Sequence, residues 1–198
     1  IQTLASDHDI ERQVLLERRG YQDLGAVEDV RIYDLDRAYP EPVLPPGFRI
    51  TTVQENGDQA GRIALENAIW QAHLDEAWFR GKSSAPHYAF DWDMVIVSPE
   101  GQQVAACLVW MDRANLMAEI DPLGTHPAYR GRGLARALVL DSFRRMRAGG
   151  MRHAVIASES QDRIVRHLYE SLQPIQTYQG HWWIKKLVGQ GGAGGLDQ

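Results

Sequence analysis

The sequence has little cysteine, no long apolar run and no excess of positive charge. Cys107 is the only cysteine among 198 residues, so no disulfide can form within the chain, and we expect a reducing, cytoplasmic setting. No stretch approaches the roughly 20 apolar residues of a membrane span, and the first residues lack the pattern of a targeting segment. The formal net charge of −5 at pH 7 argues against a whole-molecule attraction to nucleic acid or to an anionic membrane.

Metal-binding patterns are also missing, because the 7 histidines share no spacing typical of ligands. We therefore expect no metal. What the chain does have is 44% hydrophobic residues, which is enough to bury the core of one ordinary domain or a little more.

Four prolines in the stretch "RAYPEPVLPPGF" deny the chain both helix and sheet ladders, so we interpret residues 37–47 as a linker. Residues 1–36 contain a weak repeat of a later stretch. "LLERRGYQ" at 15–22 aligns with "LYESLQPI" at 168–175, and each copy is typical of a strand, a helix and a strand. Since the chain starts with Ile rather than Met, we interpret 1–36 as the tail of a preceding domain. A chance likeness of two ordinary β-α-β segments is the alternative.

The rest of the chain alternates between the period of two of strands and the 3.6-residue period of helices. This mixture predicts one α/β (α+β) domain with a mixed sheet over residues 48–188, followed by a flexible glycine-rich tail at 189–198. Strands are expected at 48–53, 116–125, 153–158 and 181–187, a hairpin at 94–112, and helices from about 55 to 74, at 134–148 and at 161–172.

The stretch "HPAYRGRGLARAL", from His126 to Leu138, lies between a predicted strand and a predicted helix. Free backbone N–H groups at a helix N-terminus form an anion site, and Gly131 and Gly133 let the backbone approach an oxygen closely. A P-loop would need a lysine after its last glycine, and a dinucleotide-binding turn would need a third glycine. Because this stretch has neither, both kinds of nucleotide site are disfavoured.

The same stretch resembles the acyl-CoA motif of the GCN5-related N-acetyltransferase (GNAT) family, which is Arg or Gln, two residues, Gly, one residue, then Gly or Ala. Arg130, Gly133 and Ala135 match it, and the resemblance extends over residues 48–188. It implies the GNAT fold, a central, mixed, mostly antiparallel twisted sheet flanked by helices, and acetyl-CoA as co-substrate. It also implies that backbone groups hold the CoA pyrophosphate and pair with the pantetheine arm. The pyrophosphate residues would be Arg130, Gly131, Arg132, Gly133, Leu134 and Ala135, and the pantetheine residues Leu123, Gly124 and Thr125.

Two carboxylates stand on the predicted strand before this turn. A strict period of two places Glu119, Asp121 and Leu123 on one face, and two nearby carboxylates raise each other's proton affinity, which suits a base near neutral pH. The family commonly uses such a carboxylate, and we leave open which of the two acts. Alternatively, one of them caps a backbone group or pairs with an arginine.

Tyr169 stands where many GNAT proteins have a tyrosine that protonates the thiolate leaving group; a helix tyrosine packed under the sheet is the alternative. The sequence departs from the family at two positions, since Asp162 replaces a usual Asn and Gln173-Pro174 replaces a usual Gly-Phe. These changes put in doubt one pantetheine contact and the path of the chain into the last strand.

The sequence thus predicts transfer of an acetyl group from acetyl-CoA to a primary amine by direct attack, without a covalent acyl-enzyme. The expected partner is a small-molecule or peptide amine rather than nucleic acid or membrane. The alternative is a non-catalytic, acyl-CoA-binding or structural half of a tandem GNAT protein, in which this part is the C-terminal half. It would then pair with an N-terminal GNAT-like half or form a homodimer.

Overall fold

The computed structural model of the protein describes residues 1–159 and 161–186, and the strands within them form a single eight-stranded sheet. The predicted tail at 189–198 and the last two residues of the predicted domain lie outside these ranges. The order across the sheet is β1-β8-β2-β7-β6-β5-β4-β3, and β6 pairs with β7 in parallel while the other pairs are antiparallel. The strands are β1 (Gln2–Ser6), β2 (Gln22–Asp34), β3 (Arg49–Thr52), β4 (Asp93–Val97), β5 (Gln103–Asp112), β6 (Met117–Thr125), β7 (His153–Glu159) and β8 (Gln176–Ile184).

Helices flank this sheet, which confirms the predicted fold class. They are α1 (Ile10–Arg18), α2 (Val53–Asn56), α3 (Gln59–Trp70), α4 (Glu76–Ser83), α5 (Leu134–Ala148) and α6 (Arg163–Glu170). None of the helices in the ranges given above is long and apolar enough to cross a membrane.

The predicted helix at 134–148 has the bounds that the apolar spacing indicated, whereas two other predictions need correction. The single helix expected from about 55 to 74 is two helices, because Gly57 takes a left-handed conformation at φ +69° and Asp58 caps the start of α3. The last strand begins at Gln176, five positions before the predicted 181, and sequence reasoning missed α4.

The sheet separates two apolar layers. Residues of β4 alternate between them, since Met94 and Ile96 pack toward α5 while Val95 and Val97 pack toward α3 and α4. Phe143 of α5 is buried on the first side, together with most of the core. On the other face, α3 and α4 cover only part of the sheet, and the uncovered part holds the candidate site.

Residues 1–36 form the predicted strand, helix and strand, and these elements belong to the same sheet as the rest of the chain. Glu17 and Glu170 are 153 positions apart, and the same sequence offset aligns β1 with β7, α1 with α6 and β2 with β8. The local order β1-β8-β2-β7 is unchanged when these equivalents are exchanged, as expected for an internal two-fold relation. Whether 1–36 belongs to a second domain stays a prediction.

The proline-rich segment 37–47 has neither helix nor strand and lies against α5. The ring of Tyr39 meets that of Phe143 edge-on at 4.9 Å, and Glu41 forms an ion pair with Arg144 at 3.1 Å. The segment therefore joins β2 to β3 along the surface of the α5 layer.

Candidate active site

Strand β6 loses its neighbour on one side partway along its length. It pairs with β7 only through Met117, Ala118 and Glu119, whereas its pairing with β5 continues to Thr125. Within the described ranges, one edge of residues 120–125 therefore has no strand beside it. An unpaired edge presents backbone N–H and C=O groups that can bind an extended chain as an added strand.

Leu123, Gly124 and Thr125, the residues expected to pair with pantetheine, lie on this free stretch of β6. Helix α3 packs so closely against β6 that position 124 requires a glycine. A Cβ there would lie 2.7 Å from Cγ2 of Ile69 and 3.4 Å from Cζ2 of Trp70. The helix thus covers one side of the strand while its edge stays open.

A β-bulge in β6 overturns one detail of the sequence analysis. Val109 pairs with Ile120 and Cys107 with Leu123, so three residues of β6 span two of β5. The extra residue reverses the alternation, and Leu123 packs into the core on the α5 side. The prediction that Glu119, Asp121 and Leu123 share one face is therefore wrong for Leu123.

The glycine-arginine turn leads from this edge into α5. Gly131 and Gly133 have φ angles of +75° and +78°, which side chains other than glycine rarely adopt. Within the described part of the chain no side chain caps α5, and its first helical hydrogen bond runs from the Ala137 N–H to the Gly133 carbonyl oxygen. The preceding N–H groups lie at the positive end of the helix dipole, a position that suits an anion, and the binding of a phosphate there stays a prediction.

The arginines of the turn are exposed and held near it. Arg130 donates from Nε to the carbonyl oxygen of Thr125 at 3.2 Å, and the guanidinium of Arg132 lies 4.9 Å from the ring centre of Tyr129. Both positive charges therefore sit beside the free N–H groups, where they add to the attraction for a phosphate group.

Glu119 and Asp121 project from β6 toward the face of α3 and α4. Burial raises the pKa of Glu119, and the charges of Asp121 and Glu28 raise it further. Burial also raises the pKa of Asp121, which Glu66 raises further and Lys82 lowers. Both residues are exposed, so the shifts reflect only a partial loss of hydration, together with the crowding of like charges.

A cleft of about 1150 Å³ opens in front of Glu119, on the sheet face that α5 does not cover. Strands β2, β5, β6, β7 and β8 form its floor, and the segment 86–92 forms a wall. Its aromatic lining consists of Tyr88, Trp92, Trp110 and Tyr178, and its acidic lining of Glu28, Asp91, Asp112 and Glu119. The cleft therefore combines apolar surface with negative charge.

Tyr169 of α6 lies in the core on the other side of the sheet and is only 5% exposed. Its ring lies under the guanidinium of Arg31, 5.7 Å from the ring centre, and its backbone oxygen accepts a hydrogen bond from Tyr33 at 3.0 Å. Burial raises the pKa of the Tyr169 hydroxyl, which therefore keeps its proton at neutral pH.

A buried polar network lies beneath the cleft. Arg62, fully buried in α3, donates to Glu66 and, at 2.9 Å, to Asp93 of β4. Lys82 of α4 and the hydroxyl of Tyr88 also donate to Asp93, at 3.2 and 2.9 Å. The network ties α3 and α4 to the sheet and places two of its charges near Asp121.

Three residues that the sequence singled out, Asp162, His126 and Cys107, have structural contacts that account for them. Asp162 caps α6, accepting hydrogen bonds from the N–H groups of residues 164 and 165 at 3.0 Å. His126 accepts from the Ala128 N–H at 3.2 Å in the turn. Cys107 is fully buried beside Ser142, and burial raises the pKa of its thiol to about 12, so it is a poor nucleophile. Among the described residues, no group of His, Cys, Asp or Glu has an arrangement that could hold a metal.

Sequence reasoning missed the part of the cleft that distant strands provide. Glu28 comes from β2, Tyr178 from β8 and Trp110 from β5, whose indole N–H donates to the Asp121 carbonyl oxygen at 2.7 Å. Alternation along each strand could have grouped residues by face. It carries no information on which strands are neighbours.

Comparison with known proteins agrees with this geometry. A family model described as "Acetyltransferase (GNAT) family" matches residues 64–173, more than half of the chain. The chain belongs to this family of acetyltransferases.

The curated relatives are distant and longer than this chain. A mycothiol acetyltransferase of Thermobispora bispora is 24% identical over 153 residues, covering 67% of this chain and 48% of the relative. A GCN5-related N-acetyltransferase structure from Sphaerobacter thermophilus superimposes with a TM-score of 0.70 at 20% identity, covering 91% of this chain and 58% of that one. A tandem GNAT protein of the clavulanic acid biosynthesis pathway gives 0.66 at 16% identity, covering 91% and 63%. The chain thus spans about half the length of the curated relatives it matches.

Proposed function

We propose that the chain transfers an acetyl group from acetyl-CoA to a primary amine by direct attack. The observation that carries the proposal is the continuity of three features along β6. Three features follow one another along the chain: the carboxylates of Glu119 and Asp121, the unpaired edge at 123–125 and the glycine turn at 130–135.

In the proposed reaction the turn holds the CoA pyrophosphate on its backbone N–H groups, and the pantetheine arm pairs with the free edge of β6. This places the thioester near the gap between β6 and β7, opposite the carboxylates. Holding the thioester and amine together supplies much of the acceleration, since a positioned pair reacts as one molecule.

The amine nitrogen forms a new C–N bond with the carbonyl carbon, and the C–S bond to CoA breaks. Glu119, or Asp121 in the alternative assignment, accepts the amine proton, and Tyr169 donates a proton to the departing thiolate. The buried Cys107, with its raised pKa, favours direct attack over an acyl-cysteine route.

The acceptor approaches from the cleft of β2, β5 and β8. Its carboxylates attract a protonated amine, which gives up its extra proton to solvent before the neutral nitrogen attacks. The aromatic side chains of the cleft offer apolar surface to the rest of the molecule. A panel of small-molecule and peptide amines, followed by CoA thiol release and by mass spectrometry of the acetylated product, tests this function. A mass increase of about 42 Da on an amine, which corresponds to one acetyl group, supports the proposed function. Hydrolysis of acetyl-CoA without an acetylated product would contradict it.

Tyr169→Phe is expected to lower kcat by about 10²-fold with little change in acetyl-CoA affinity, because only the proton for the thiolate is removed. Steady-state kinetics and a binding titration measure the two effects separately. Tyr39→Phe is the matched control, since its hydroxyl donates to the Asp34 carbonyl oxygen far from the cleft. Equal activity in the two variants would show that Tyr169 only packs against the sheet.

We also propose that residues 1–36 belong to a second GNAT-like unit, so that this chain is the C-terminal half of a tandem protein. The two-fold relation of β1-α1-β2 to β7-α6-β8 supports this arrangement. The likeness to a tandem GNAT structure agrees with it.

A further inference from the structure

Glu28 enters the cleft from a part of the chain far from the family motif. It lies on β2, which is inserted between β7 and β8, and it pairs with Glu159 of β7 and Gly180 of β8. The pairing of β6 with β7 ends at Glu119, opposite Val155. Since Glu159 lies further along β7 than Val155, Glu28 stands at the level where β6 and β7 have separated, with β7 between Glu28 and the gap.

Two local features aim the Glu28 side chain over the sheet. The β2–β8 register shifts between Ala26 and Glu28, and such bulges redirect a side chain next to active sites. Gly180 makes room for it, because a Cβ at this position would lie 2.8 Å from Cγ and 2.9 Å from Oε1 of Glu28. Glu28 is half-buried, and no ion pair or hydrogen bond holds its carboxylate among residues 1–159 and 161–186.

We propose that Glu28 is a positioning residue of the reaction centre, placed by β2 so that its negative charge acts on Glu119. The inference rests on the proposed function only in assigning Glu119 as the base. In this proposal the N-terminal segment contributes a side chain to the reaction centre, whereas the residues of the family motif lie on β6, the glycine turn and α5.

The pKa shifts of Glu28 and Glu119 have the direction expected for neighbouring negative charges. Burial raises the pKa of Glu28, and the charge of Asp121 raises it further. Glu28 in turn raises the pKa of Glu119, after the larger effects of burial and of Asp121. The other titratable or charged groups that line the cleft are Tyr178 of β8, His87, Tyr88 and Asp91 of the 86–92 wall, Asp112 of β5 and the adjoining Arg113.

Removal of the Glu28 charge therefore favours ionisation of Glu119. In Glu28→Gln the Glu119 pKa is expected to fall by roughly 0.3–1 pH unit, the effect of one unit charge across a partly hydrated cleft. Carbon-detected NMR titration of side-chain carboxyl groups measures it directly, with Glu119→Gln identifying the signal. The acid limb of the kcat/KM profile moves to lower pH by the same amount.

Glu17→Gln is the matched control, because it removes an equal charge from the exposed surface of α1 in the same N-terminal segment. A second variant, Gly180→Ala, keeps the Glu28 charge but displaces its side chain, and it is expected to shift the Glu119 pKa in the same direction by less. Thermal melting confirms that each variant folds.

A Glu119 pKa that is the same in wild type, Glu28→Gln and Gly180→Ala would overturn the proposal, and so would an equal shift in Glu17→Gln. The titration needs no turnover, so it decides the role of Glu28 even for an inactive protein. Failure of the proposed function would instead be seen as absence of acetylated product from the wild type.

Discussion

Glu119→Gln is expected to lower kcat by about 10²–10⁴-fold and to leave the dissociation constant of acetyl-CoA within about twofold of wild type. The amide has nearly the shape of the carboxylate but cannot accept the amine proton. Acetyl-CoA would lie on the β6 edge and the glycine turn, so its binding does not require the Glu119 charge. Burial and the charges of Asp121 and Glu28 raise the pKa of Glu119, which makes it a stronger base than an ordinary carboxylate.

Asp121→Asn separates the two assignments that the sequence left open. If Glu119 is the base, Asp121→Asn lowers kcat less and moves the acid limb of the pH profile down, because a neighbouring negative charge is lost. A large loss in Asp121→Asn with normal turnover in Glu119→Gln would instead make Asp121 the base. Normal turnover in both variants would contradict acid-base catalysis from β6.

Arg62→Met is expected to lower the free energy of unfolding by about 3–5 kcal/mol. Methionine fills much of the same space but leaves Glu66 buried without its arginine partner, while Asp93 keeps its hydrogen bonds from Lys82 and Tyr88. A buried charge without a partner costs more than the pair contributed, since it can neither reach water nor find another donor. Denaturant unfolding followed by tryptophan fluorescence measures the change.

Arg80→Met is the matched control for this loss. Arg80 and Glu76 are also four residues apart on a helix, at 3.6 Å, but their side chains are 70% and 86% exposed. Surface pairs of this kind contribute about 0–1 kcal/mol, so the control should unfold close to wild type. Equal midpoints for the two variants would show that the network beneath the cleft adds no more than a surface pair.

Local patterns determine the parts of the site that follow each other in the chain. The helix at 134–148 and the turn before it are visible in the sequence because apolar spacing and glycines act over a few residues. The free edge of β6 depends on where β7 stops pairing, which no local pattern encodes. The bulge that turns Leu123 toward the core is likewise a property of two strands, since it needs Cys107 and Val109 opposite.

The contribution of the N-terminal segment was the least accessible to sequence reasoning. The repeat correctly indicated a strand, a helix and a strand in residues 1–36, at positions equivalent to β7, α6 and β8. It did not indicate that β2 would lie between β7 and β8 and bring Glu28 to the cleft. Strand order is set by packing over the whole sheet, and residues separated by more than 90 positions become neighbours only there.

Calorimetric titration with acetyl-CoA, with Gly133→Val as the comparison, tests whether the protein binds acetyl-CoA at the glycine turn. We expect the wild type to bind one equivalent. The variant should bind at least about tenfold more weakly, because a β-branched residue is strained at φ +78° and distorts the turn that presents the N–H groups. No heat of binding from the wild type at high micromolar acetyl-CoA would contradict the proposed acetyl-CoA site. Equal affinity in a folded Gly133→Val variant would show that the pyrophosphate does not bind at this turn.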